Sequence, residues 1–392
     1  MAESVSGWQR AFVPTESRLG EQKKVTIGIG GQAARIDQIM RAHSLIAQFD
    51  SNIQPRDIKI VGIGKDKIVA TAQKAQNQSQ VFVVAVASQK NKREENIRNE
   101  ATLCEELRQH SGEEIRLATS LKETNVPGLF TMDKASGDLE KFLGKTKMSP
   151  NLALSICQDM ATGLSQLHST DRVHDDMKLD NFLVSNDGKH VYLSDFGKST
   201  KVDPDTGKAK GPHGGNTRNA DSTGSRSKAN DVYGLGLSLM QVLEATVREE
   251  GKKSIVEVPE TDRRKDQVFA DDSRRGVERF ILNHKAFSHR LCETKNVGWM
   301  GKVTNILCRG RTAIQPAAIR QQKDKAEHDA LSSYVDTLIK ELEKAKKFDN
   351  HEIQTIRTIL SGTVLAPANT RISAADVRQM LEGLQPRTQS SS

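Results

Sequence analysis

Apolar and polar positions change period twice along this chain. Ala33, Ala34, Ile36, Ile39, Met40 and His43 to Ile46 recur at helical spacing, behind a short apolar run, Val25-Thr-Ile-Gly-Ile-Gly-Gly31. From Ile58 the pattern is strand-like: Ile58, Ile60 and Gly62, then Ile68-Val69-Ala70, then the β-rich run Val81-Phe-Val-Val-Ala-Val-Ala87. The polar Gln76-Asn-Gln-Ser-Gln80 between the last two predicts a hairpin tip. Helical character follows from Glu94 to Leu107, with Ile97, Leu103, Cys104 and Leu107 on one face, and short strands are predicted at Ile115–Leu121 and Gly128–Met132. Helices are then expected at 149–168, 229–247, 279–292 and 325–347, the first opened by Ser149-Pro150, since proline suits a first helical turn. The Gly-, Ser-, Thr-, Asn- and Lys-rich stretch Lys198–Lys228 predicts a long mobile loop. No internal repeat is visible. A small β-rich half followed by a larger helical half predicts an α+β chain with a ligand cleft between two lobes.

Composition narrows the class. The 392 residues are 36% hydrophobic and 28% charged, the balance of a soluble globular protein of two or three units or one large two-lobed domain. No stretch approaches the roughly 18 apolar residues of a membrane span. The opening Met-Ala-Glu-Ser-Val-Ser lacks the basic and apolar regions of a secretory signal, and Ala2 stands where myristoylation needs glycine. Cys104, Cys157, Cys292 and Cys308 form no C-x-x-C pair, so buried or bystander thiols in a reducing, cytoplasmic compartment are expected rather than disulfides or structural zinc. A formal charge of +8 would suit an acidic partner or nucleic acid. With only 4% aromatics and no arginine-rich run, nucleic acid is not expected and a solvated basic surface is the better reading.

Candidate chemistry is concentrated in Val173-His-Asp-Asp-Met-Lys-Leu-Asp-Asn-Phe-Leu-Val184 and Val191-Tyr-Leu-Ser-Asp-Phe-Gly197. Together they resemble the catalytic loop and metal-binding motif of protein kinases, H-R-D-x-K-x-x-N and D-F-G. The resemblance implies Asp176 as catalytic base, Lys178 as a cation on the transferred phosphoryl group, and Asn181 with Asp195 as magnesium ligands. These residue types suit phosphoryl transfer, which gains most from positioning and charge neutralisation by a hard-oxygen-bound Mg²⁺. Further segments agree with the family: Leu164-Ser-Gln-Leu-His168 before the loop, Asp231-Val-Tyr-Gly-Leu-Gly236, Arg371-Ile-Ser-Ala-Ala-Asp376, a hinge-like stretch from Met132, and Glu100 on the first long helix. The resemblance covers residues 55–385.

The glycine loop departs from the pattern. Gly62-Ile-Gly64-Lys-Asp-Lys67-Ile-Val69 fits G-x-G-x-x-G-x-V except that Lys67 replaces the third glycine, and Ala87 stands where the V-A-I-K lysine belongs. Three explanations are open: a pseudokinase, an inactivating substitution at Ala87, or a lysine supplied from elsewhere. The with-no-lysine kinases carry theirs at the position of Lys67; Lys90 is a poorer substitute, and a solvent-facing loop lysine is the alternative for Lys67. A rival phosphate loop, Gly28-Ile-Gly-Gly31, is faintly similar to the dinucleotide-binding fingerprint but lacks its acidic ribose ligand. Asp175 replaces the loop arginine that usually binds an activation-segment phosphate. The A-P-E motif is replaced by Thr217-Arg-Asn-Ala-Asp221, so Arg371 needs another partner, with Asp221 the candidate.

The expected fold is therefore bilobal and protein-kinase-like. An accessory segment at 1–50 precedes an N-lobe at 51–145 and a C-lobe at 146–385, with a tail at 386–392. Its expected activity is transfer of the γ-phosphate of Mg-ATP to a protein hydroxyl, and Lys178 two residues after the base is similar to serine/threonine kinases. Gly62, Gly64, Val69, Ala85, Glu100 and Met132 would hold the nucleotide, with Asp176, Lys178 and Lys67 catalytic and Asn181 and Asp195 on the metal. The alternatives are a pseudokinase scaffold and a small-molecule kinase of the same fold. A helical partner surface is expected within 248–350. The divergence is similar to that of bacterial effector kinases, which would place the chain in a host cytosol.

Overall fold

A computed structural model describes residues 29–63, 67–73, 79–85, 92–110, 115–212, 220–221, 223–248 and 317–384. The chain divides into two compact units, Met1–Glu94 with Thr124–Phe130, and Glu95–Glu123 with Thr131–Ser392.

The first unit holds helix α1 (Ile29–Phe49) and strands β1 (Ile58–Ile63), β2 (Lys67–Gln73) and β3 (Ser79–Ala85). β1 and β2 pair antiparallel from Ile58↔Ala72 to Ile63↔Ile68, with a register shift between Ile60 and Gly62; β2 and β3 pair without interruption from Lys67↔Ala85 to Gln73↔Ser79. Because side chains alternate across a strand, Ile68, Ala70 and Ala72 enter one core with Phe82 and Val84, and α1 caps that core with Ala42 and Ile46. Phe49 meets Phe82 edge-to-face with ring centroids 5.7 Å apart. Arg41 of α1 donates to the carbonyl of Ala85, whose own N–H donates to Gly128 O (3.0 Å) where the chain returns at 124–130. One expectation narrows here: Ser79 and Gln80 belong to β3 rather than to a hairpin tip. Gly30 and Gly31 lie in the first turn of α1, and Gly28 falls outside the described residues.

The second unit contains α2 (Lys92–His110) apart from its first turn, then β4 (Lys122–Glu123), the end of β5 (Leu129–Met132), β6 (Gly137–Asp138), α3 (Leu139–Leu143), α4 (Pro150–Ser169), β7 (Arg172–Val173), β8 (Phe182–Val184) and β9 (Val191–Leu193). It continues with β10 (Thr200–Lys201), β11 (Lys208–Pro212), β12 (Ser225–Ser227), α5 (Lys228–Val247), α6 (Ala317–Ala345), α7 (Asn350–Leu360) and α8 (Ala374–Glu382). Ile97, Leu103, Cys104 and Leu107 of α2 are buried together, as their spacing predicts. Pro150 opens α4 and Ser149 caps it by accepting the N–H of Leu152.

α4 is buried along most of its length. At Gly163 an added Cβ would lie 2.6 Å from the carbonyl oxygen of Arg116, so only glycine admits that backbone. This approach also explains a correction: the strand expected at Ile115–Leu121 is reduced to a single bridge between Leu117 and Leu193. Arg116 O accepts the N–H of Leu193 (2.9 Å) and Ala118 N–H donates to Leu193 O (2.8 Å) to make that bridge, but the Arg116 amide goes to Gln166 Oε1 (2.9 Å) and the pairing extends no further. The stretch expected as a long loop at Lys198–Lys228 carries three short strands: β10 pairs with β7 and β11 with β12. The last expected helix begins at Ala317, earlier than 325. The helix expected at 279–292 falls outside the described residues, as does most of the surface assigned to 248–350.

Candidate active site

Antiparallel register builds the centre of the site. β8 and β9 pair Phe182↔Leu193, Leu183↔Tyr192 and Val184↔Val191. That register sets Asn181, just before β8, against Ser194, just after β9. Asn181 O accepts both the N–H (2.8 Å) and the Oγ–H (2.9 Å) of Ser194, and the next residue is Asp195. Asp195 has φ of +63°, the left-handed region, which turns its side chain out of the strand direction. Hairpin pairing thus brings Asn181 beside Ser194, the residue that precedes Asp195.

Asn181 also organises the loop. Its Nδ2 donates to Asp176 O (2.7 Å) and lies 3.5 Å from Asp176 Oδ2, which orients the amide so that Oδ1 is the remaining ligand end. The Asp176 carboxylate, 6% exposed, further takes Lys198 Nζ at 2.9 Å and Lys178 Nζ at 3.9 Å, both on Oδ2. Lys178 binds Asp180 at 3.1 Å. Burial works against the charge of Lys178, but the carboxylates of Asp180, Asp176 and Asp195 outweigh it and hold the ammonium above the ordinary lysine range.

Asp231, buried on α5, holds the loop from beneath by accepting the N–H groups of His174 (2.7 Å) and Asp175 (2.9 Å) and contacting His168 Nε2 (3.0 Å). His174 is fully buried, with Nε2 2.8 Å from Ser194 O and its ring against Phe196. Asp175, also at φ +63° and 1% exposed, forms an ion pair with Arg226 Nε at 2.8 Å. The second amino group of Arg226 donates to Lys198 O at 3.0 Å. Arg371 finds Asp221 at 2.7 Å, the partner its sequence position calls for, and stacks on Tyr233.

Glu100 of α2 is buried against this group. Its Oε2 lies 3.6 Å from where a Cβ on Gly197 would sit, and together with Phe196 and Ser199 it lines a cavity of about 340 Å³. Met132 ends β5 half-buried. In the first unit, Lys67 and Val69 share the face of β2 opposite the core residues Ile68 and Ala70. Their cross-strand neighbours are Ala85 for Lys67 and both Gly62 and Val83 for Val69, so the expected nucleotide residues Gly62, Lys67, Val69 and Ala85 gather on one sheet face. Gly64, Ala87 and Lys90 fall outside the described residues. Lys198 and Arg226 were missed from sequence, where the first reads only as the residue after D-F-G and the second as one basic residue of a polar stretch.

The protein kinase domain family matches residues 56–269, just over half of the chain. The chain belongs to that family. Its kinase domain is 35% identical over 96 residues to serine/threonine-protein kinase fray1 of Dictyostelium discoideum, covering 24% of this chain and 16% of the relative. It is 31% identical over 117 residues to a membrane-associated tyrosine- and threonine-specific cdc2-inhibitory kinase of Drosophila melanogaster, covering 28% and 21%. It is also 31% identical over 147 residues to discoidin domain-containing receptor tyrosine kinase B of Caenorhabditis elegans, covering 33% and 18%. The chain thus spans about a fifth or less of these relatives, and their names divide between hydroxyl classes. The α+β fold, with its main sheet in the first unit and most helices in the second, is the kinase architecture expected. Among the described residues no helix is long and apolar enough to cross a membrane.

Magnesium suits the residues present. It binds typically through one or two hard oxygen side chains plus substrate phosphates, and Asp195 with an Asn181 amide held oxygen-outward offers that set.

Proposed function

We propose that this kinase domain transfers the γ-phosphoryl group of ATP to a serine or threonine hydroxyl of a protein. The observation that carries this reading is the hairpin register that brings Asn181 beside Ser194 and Asp195 while Asn181 holds Asp176 in the same network. In the step, the acceptor oxygen bonds to the γ-phosphorus as the bond to the leaving ADP oxygen breaks, and the hydroxyl proton passes to Asp176. Lys178 stabilises charge on the transferred group. Asn181 and Asp195 would hold magnesium, which supplies neutralisation of the phosphates. Lys67, Gly62, Gly64, Val69, Ala85, Glu100 and Met132 complete the nucleotide site in this reading, with lobes at 51–145 and 146–385 and a cytosolic setting.

The pseudokinase alternative is favoured by Ala87 at the family's lysine position. One experiment separates them. Asp195→Ala should melt like the unmodified protein and lose transfer of radiolabelled phosphate to a generic protein substrate, by roughly 10²-fold or more for loss of preorganised charge compensation. Full activity in that variant, or none in the unmodified chain with ATP bound, contradicts the proposal.

A further inference from the structure

The stretch from Lys198 to Lys228 holds seven basic residues against three acidic ones, so it alone carries half of the chain's formal +8. The structure shows which of these charges are already spent. Arg226 pairs with Asp175 and Lys228 with Asp171 (2.9 Å), while Asp221 is taken by Arg371. Asp203 and Asp205 sit exposed in the turn between β10 and β11, Asp203 accepting the N–H groups of Asp205 (3.1 Å) and Thr206 (2.9 Å), and among the described residues no ion pair joins either to a cation. Lys201, Lys208 and Lys210 remain exposed, and no ion pair among the described residues joins them to a carboxylate.

Their backbone is tied to the catalytic loop. Lys201 on β10 lies opposite Arg172 on β7, the strand that runs directly into His174 and Asp176. The carbonyl of Lys208 accepts the N–H of Asp203 (3.0 Å), and Lys208 pairs with Ser227 on β12. At the start of the same segment, Lys198 is 44% exposed and touches Asp176 Oδ2, where the acceptor hydroxyl must arrive in the proposed reaction. Exposed cations with no ion-pair partner raise the local concentration of acidic partners and select among them.

We propose that Lys201, Lys208 and Lys210 form an acceptor-docking surface for acidic protein segments, so that the phosphorylated hydroxyl is flanked by carboxylate side chains. This deepens, and rests on, the protein-kinase reading. A nucleic acid would meet the same charge, but the 4% aromatic content offers few stacking platforms for single strands.

The test uses the full chain and a Lys201→Glu, Lys208→Glu, Lys210→Glu variant. Three serine peptides of equal length serve as acceptors, with the serine flanked by glutamates, alanines or lysines. A fluorescent glutamate peptide with its serine replaced by alanine, and a labelled single-stranded oligonucleotide of equal charge, report binding without turnover. The glutamate peptide should show a KM roughly tenfold below the alanine peptide, with binding that weakens as salt is raised. The triple variant should lose that preference while keeping its KM for ATP and its turnover of the alanine peptide; Lys201→Gln alone should show a smaller loss if the triple variant fails to fold. Equal use of all three peptides without binding of the fluorescent one overturns the docking surface and leaves the kinase reading standing. Binding that the triple variant loses, with no transfer by the unmodified chain, supports the surface and overturns the kinase reading. Neither binding nor transfer overturns both, and tighter binding of the oligonucleotide overturns the acidic-peptide assignment.

Discussion

The proposed activity turns on Lys67. It opens β2 directly opposite Ala85, on the sheet face it shares with Val69. Directly opposed residues in antiparallel strands have Cβ atoms roughly 5 Å apart, so its long stem starts beside the strand where the family lysine is carried. Lys67→Met should therefore lower transfer by roughly 10²–10³, about 3–4 kcal/mol of barrier, and Ala87→Lys should partly restore it. One kinase assay on the single and double variants decides. Unchanged turnover in Lys67→Met makes it a solvated lysine. An inactive chain switched on by Ala87→Lys alone identifies Ala87 as an inactivating substitution.

Among elements, the segment from β10 to β12 is fastened by charge already present in the sequence. Where the family loop has arginine this chain has Asp175, and where a phosphate would bind it has Arg226, 2.8 Å away. The polarity is inverted while the tie between loop and segment is kept. Arg226→Met leaves a carboxylate only 1% exposed without its cation, so it should destabilise the protein toward the low end of the roughly 3–5 kcal/mol typical of a broken buried pair. The exchange Asp175→Arg with Arg226→Asp should recover part of that loss in a thermal melt. Phosphatase treatment of the unmodified protein should change activity by less than about tenfold, since no phosphate is needed to complete the pair. Helix packing is fixed as tightly at Gly236 of α5. A Cβ there would collide with Thr363 and lie 2.7 Å from Val364 Cγ1, so Gly236→Ala should cost about 1–3 kcal/mol in denaturant unfolding by overpacking.

For the molecule as a whole, stability should depend on pH through the first unit. His43 on α1 is 8% exposed, beside the core residue Ala42, and burial lowers its pKa from 6.5. The folded form keeps the imidazole neutral while the unfolded chain takes up a proton near the ordinary value. Its contribution is thus present above about pH 6.5 and is lost as pH falls toward the folded pKa. Melting at about pH 5 should fall further below melting at about pH 7.5 in the unmodified protein than in His43→Leu. An equal fall in both would show that His43 does not carry the effect.

The order of the chemistry was legible because it is local. Asp176, Lys178 and Asn181 lie within one loop, and Asp195 follows on the other arm of the hairpin that begins there, so spacing along the chain already implies their meeting. Strand β2 and helix α2 were legible because each buries one periodic face, and periodicity is written in residue order; β3, α4 and α5 were legible as largely apolar runs buried on more than one side. Residues 115–121 misled because an apolar, β-prone run predicts a strand, whereas the backbone there makes one bridge to Leu193 and then packs against Gly163 and gives the Arg116 amide to Gln166. The 198–228 stretch misled in the opposite sense, since its polar residues gain strand pairing from β7 and from each other rather than from propensity. Asp221 could be nominated for Arg371 because a buried cation requires a carboxylate. Lys198 on Asp176 and Arg226 on Asp175 could not, because many lysines and arginines in that stretch satisfy the same local chemistry. The sequence by itself determined the residue types proposed as catalytic, their order and most of the helices and strands that present them, all consequences of short-range spacing. The tertiary structure alone decided which cations meet the two loop carboxylates and which stay exposed, because ion pairing across 22 and 51 residues depends on how the intervening chain folds back.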